Sequence, residues 1–103
     1  MPSFRCMIPI FDVRPGHAPE EVMEAALEGI GSVHHLEANG LEIVGAVPVI
    51  TVRFLVEAST RAEEDALARR AAVVLAESVD VVASHGAVRI TRRVKGRWVG
   101  IIP

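Results

Sequence analysis

The side chains able to do chemistry are few and scattered: four histidines, one cysteine, and a basic segment near the C-terminus that ends in Arg97-Trp98. His34 and His35 are adjacent, so on an extended strand they point to opposite faces and do not share one metal or substrate. Leu36 and Ala38 have the parity of His34, which turns His34 toward a core and leaves His35 beside Glu37 on the other face. An imidazole next to a carboxylate can act as a general base, or the two can ligate a metal. The pair lacks a third ligand at a defined spacing and any HExxH-type pattern, so it reads first as solvated surface, and neither a metal nor a cofactor is expected. Asp12, Arg53 and Arg97-Trp98 complete the polar groups on which a small-molecule site would draw.

Other catalytic signatures are missing. There is no Walker A or GxGxxG run, and Gly29 and Gly31 fall at the end of a helical pattern, where no N-terminal anion site forms. The GxSxG elbow is absent. Cys6 sits within the apolar run 4–11 with no histidine nearby in sequence to activate it, so it reads as a buried, inert thiol. His17 and His85 fall in turn-forming segments and read as surface residues.

The elements that must position these groups come from a chain of 103 residues, room for one domain spanning 1–103. Half the residues are hydrophobic and mostly aliphatic, which excludes the composition of a disordered chain. A lone cysteine gives no intramolecular disulfide. No signal-peptide core and no apolar stretch of about 20 residues is present, so a cytoplasmic protein without a membrane span is expected. The net charge of −2 is unevenly spread: residues 1–80 carry −7 and residues 81–103 carry +5, with Arg89, Arg92, Arg93, Lys95 and Arg97 close together. Such a segment suits a small anionic ligand, or a strand pairing with acidic neighbours.

Residues 4–13 alternate as a first strand, with Pro9 calling for an edge position or a bulge. Pro19 opens a helix carrying Glu20 and Glu21 in its first turn, which Gly29 and Gly31 then stop. Residues 32–46 are extended around Asn39-Gly40, a hairpin turn or a bulge in one long strand. Residues 49–58 alternate as a third strand. Thr60 and Glu63 have capping-box spacing for a second helix, with Ala66, Leu67, Ala71, Val74, Leu75 and Val79 as its apolar stripe, to about Ser78. Residues 79–86 are a strand or a loop, and 87–102 pair about Lys95-Gly96. The order βαββαβ predicts an α+β, ferredoxin-like antiparallel sheet with two helices on one face and a C-terminal hairpin extension. Right-handed crossovers place the first strand centrally.

The sheet face away from the helices would show Arg5, Met7, Pro9 and Phe11, then Thr51, Arg53, Leu55 and Glu57, then Arg89, Thr91, Arg93 and Lys95. Met7, Phe11 and Leu55 are poor choices for a wet face, and predict self-association as a homodimer or higher oligomer. The leading expectation is thus an oligomeric interaction or structural module with no catalytic machinery visible in sequence. The alternative is a small-molecule binder or enzyme with His35, Glu37, Arg53, Arg93 and Trp98 as its wall. Single-stranded nucleic-acid binding ranks third, because stacking platforms need aromatics and Phe11 alone stands on that face. Arg92 has core parity yet is charged, which predicts a bulge or an exit from the core there. The apolar tail after Trp98 should pack on its own domain or on a partner's edge.

Overall fold

The computed structural model describes all 103 residues, Met1–Pro103. In chain order the elements are β1 (Ser3–Val13), α1 (Glu20–Gly31), β2 (His35–Val44), β3 (Val47–Leu55), α2 (Arg61–Asp80), β4 (Ala83–His85), β5 (Arg89–Val94) and β6 (Arg97–Ile101). The sheet is antiparallel, its strands ordered β2-β3-β1-β5-β6, with β4 also pairing with β1. No helix is long and apolar enough to cross a membrane.

Alternation dictates the core. Phe4, Cys6, Ile8 and Ile10 of β1 are buried, as are Ile50, Val52 and Phe54 of β3 and Ile90 of β5. They form one cluster with Val22, Ala26 and Ile30 of α1 and Ala68, Ala71, Ala72, Leu75 and Val79 of α2, so both helices cover the same sheet face. Ala68 and Ala72 are buried where the sequence pattern favoured Ala66, which is exposed. The α2 cap forms as expected: Thr60 accepts from the Glu63 N–H at 3.2 Å, and the Glu63 carboxylate accepts from the Ser59 N–H at 3.1 Å. Gly29 does not end α1. It is buried within the helix, where a Cβ would stand 2.4 Å from Ser78 Oγ, so it lets the two helices approach closely.

Three local expectations are corrected. The β2–β3 turn falls at Gly45-Ala46, with Gly45 at φ +64°, and Asn39 and Gly40 stay extended opposite Val52 and Thr51. The irregularity in β2 lies instead at Glu37, between the rungs Leu36–Phe54 and Ala38–Arg53. Of the two alternatives for Pro9, the edge position fails because β1 is central, while a register shift follows it between Ile10 and Val13. The Pro9 carbonyl accepts from the Gly86 N–H at 2.9 Å, and the proline has no N–H to return. Opposite Pro9 the neighbouring strand is broken into β4 and β5, and a Cβ on Gly86 would stand 2.7 Å from the Pro9 ring. Hairpin β5–β6 turns at Lys95-Gly96, both at positive φ, as the sequence predicts. The C-terminal tail packs on its own chain: β6 pairs with β5, and the Ile102 carbonyl accepts from Arg69 Nε at 2.7 Å.

Arg92 also departs from expectation. There is no bulge at this position. The residue keeps core parity, opposite Phe4, and is 8% exposed. Burial disfavours its charge, but hydrogen bonds to Glu64 and to Asp65 (2.7 Å) outweigh that and hold the guanidinium protonated. The Phe4 ring lies beneath it at 5.1 Å. The open end of the core is therefore closed by an ion triad. R92M should strand both carboxylates and cost on the order of 3 kcal/mol in urea unfolding, partly recovered when E64Q and D65N are added. A loss near zero would mean these carboxylates are solvated.

Candidate functional site

Ser3, Arg5, Met7 and Pro9 of β1 face away from the helices, a parity lost at Phe11 and Val13 beyond the register shift after Ile10. The rungs beside the first four set up an unusual cluster. Arg5 stands directly opposite Arg53 on β3 and Thr91 on β5. One strand further out, Arg93 stands opposite Trp98 of β6. The Trp98 ring reaches back over β5, so the guanidinium carbons of Arg5, Arg93 and Arg53 lie 4.7, 5.0 and 5.3 Å from its centroid. Like charges on opposite rungs repel, and the π-face offsets part of that cost.

One carboxylate enters the cluster. Glu37 Oε1 accepts from Arg53 Nε at 3.2 Å and from Ser3 Oγ at 2.5 Å. The bulge at Glu37 aims it across β3 in this way, and His35, exposed on the outer strand, takes no part in the network. The structure therefore brings together Glu37, Arg53, Arg93 and Trp98 of the five residues expected to line a site, and sets His35 apart. Arg5 and Ser3 join them. Arg5 had been placed on this face by parity, but only the rung positions reveal it as the centre.

Beyond Arg5 the open face is concave. A trough of about 320 Å³ runs across the sheet, bounded by Met7, Pro9, Val44 and Val49, with Arg5 and Arg89 as its cations and Glu42 as its acid. Of the residues expected at an interface, Met7 and Leu55 are half-buried. Phe11 is exposed at the far end of β1. It borders a separate apolar cleft of about 390 Å³ between the start of α1 and the β2–β3 hairpin.

Family models, curated proteins and solved structures offer no match to this chain. Its chemistry must be read from its own residues. No three His, Cys, Asp or Glu side chains come together in a way that would hold a metal. Cys6 is fully buried, and burial pushes its thiol up to about 12, so it is no nucleophile at neutral pH. Asp12 meets Ser84 through its backbone groups. His85 lies 3.5 Å from Asp80, which also pairs with Arg14 at 3.1 Å, and His17 contacts Glu21 at 3.2 Å. His85 is thus a half-buried residue of β4 rather than the surface turn residue expected, and these contacts tie it and the segment preceding α1 to helix ends.

His34 turns inward as its parity predicts and stacks on Phe54, with centroids 5.4 Å apart. Burial lowers its pKa below the ordinary imidazole value, against the opposing pull of a hydrogen bond to the Leu67 backbone. The unfolded chain therefore takes up this proton first as pH falls, so the contribution of His34 is present above the ordinary imidazole range and lost below it. Thermal melts at pH 7.5 and pH 5 should show a smaller acid loss for H34F than for the wild type. Equal losses would place the titrating group elsewhere.

Proposed function

We propose that the chain is a small cytoplasmic interaction module of ferredoxin-like type that works as a homo-oligomer. With β4 and β5 taken as one strand broken opposite Pro9, the sheet runs second, third, first, fourth, and β6 is the hairpin extension. That order supports the ferredoxin-like reading. A free, fully buried Cys6 suits a reducing compartment.

The observation that carries self-association is the outer end of the β2–β3 hairpin. Leu41 and Ile43, together with Phe11, are between 57 and 64% exposed. Leu41 and Ile43 oppose Ile50 and Pro48. They have the parity of the core, yet the hairpin runs out past the helix layer and leaves them uncovered. Contiguous apolar surface of this kind marks an interface. A second copy is the fitting occupant, because β2 is an edge strand and its outer half, Asn39–Val44, carries no bulge, proline or lysine. Two such edges meeting about a twofold axis would satisfy each other's backbone groups and bury both apolar tips.

Light scattering on the purified chain should therefore give a defined oligomer at micromolar concentration. L41E or I43E should give monomers with unchanged circular dichroism. Each interface would lose two buried aliphatic side chains, weakening association by about 100-fold or more. A wild-type monomer throughout the micromolar range would overturn the proposal.

A further inference from the structure

We propose that the open sheet face binds a small oxyanion, a carboxylate or a phosphate, carried on a compact apolar body, with Arg5 at the centre of the site. Two unpartnered polar atoms point to it. Arg5 Nε and Thr91 Oγ1 are buried and have no hydrogen-bond partner, and the two residues face each other on adjacent strands. Thr91 is only 7% exposed, with Trp98 reaching across the rung above it. Arg5 Nε can only donate and Thr91 Oγ1 can donate as well as accept, so an acceptor placed between them can satisfy both. Leaving such donors unmet is costly.

Charge gives the same direction. Arg53 is balanced by Glu37, whereas no carboxylate pairs with Arg5, Arg89 or Arg93. Arg89 is opposite Met7, one pleat along from Arg5 on the same face, so the unbalanced cations line one path across the sheet. A ligand has room to approach from both sides. On one side Gly100 stands opposite Thr91, and nothing lies within 4 Å of where its Cβ would be. On the other is the trough, where Met7, Pro9, Val44, Val49 and Ala87 offer an apolar floor beside Arg5 and Arg89. The trough volume of about 320 Å³ suits a small molecule. A nucleic-acid strand suits it poorly: the single aromatic platform, Trp98, is already packed against guanidinium groups, and Glu37 and Glu42 border the path.

The site does not rest on self-association, since every residue in it comes from one chain. It also carries its own reporter. Trp98 is the only tryptophan and there is no tyrosine, so emission from the indole reads this face and nothing else. Phenyl phosphate titrated at constant ionic strength should change Trp98 emission saturably, and matched sodium chloride should not. R5Q should weaken the apparent affinity by about tenfold or more, and R93Q, at an exposed position, should do the same. T91V removes the hydroxyl at constant shape and should weaken binding severalfold. Far-UV circular dichroism should be unchanged in each variant. An emission change that chloride reproduces, or R5Q and R93Q variants binding as tightly as the wild type, would overturn the proposal. So would an oligonucleotide binding far more tightly than phenyl phosphate and displacing it.

Discussion

Proline at position 9 has no N–H to offer the strand beside it, and much of the architecture follows from that one missing donor. β1 is the central strand and needs a partner on both sides along its length. On the β3 side the ladder is unbroken from Ser3 to Pro9. On the other side β4 takes the far end of β1, β5 takes Phe4–Met7, and the break falls where Pro9 meets Gly86. The absence of a side chain on Gly86 lets the chain pass against the proline ring. Because β5 begins only after this break, Arg89 and Thr91 come to lie opposite Met7 and Arg5. The cationic face is thus a consequence of how the sheet accommodates a proline.

Strand β5 solves the problem of a charge in a sheet in two ways. On the helix side Arg92 is enclosed, and Glu64 and Asp65 reach down from α2 to meet it. On the open side Arg93 has no helix above it and only Trp98 for company. The first arrangement is complete in itself and contributes to stability only as a unit. The second leaves donors over, and unmet donors beside an accessible hollow are where a sheet departs from self-sufficiency.

Much of this was legible in the residues. Alternation in β1 and β3 placed every core side chain on the correct face, and Arg53, Arg93 and Trp98 were expected on one wall. What was not legible depended on pairing partners. A bulge moves one side chain without leaving a mark in a polar, weakly alternating strand, so Glu37 was expected beside His35 and stands beside Arg53. Asn39-Gly40 has the stronger turn composition, but a β2 that stays extended to Val44 pairs with β3 along its whole length, from Val47 to Leu55. Arg92 looked like an exit from the core because its partners lie on α2, 27 and 28 residues away.

The position of β1 has a further consequence, for the order of events in time. Both of its neighbours come later in the chain, β3 from residue 47 and β5 from residue 89. During synthesis β1 therefore emerges before either neighbour and stays half-paired until β5 has been made. A nascent chain of about 80 residues would hold α1, α2 and the β2–β3 hairpin, with one side of β1 still open. Closure of that side of the sheet waits for the segment that begins at Arg89, as in other sheets built from distant segments.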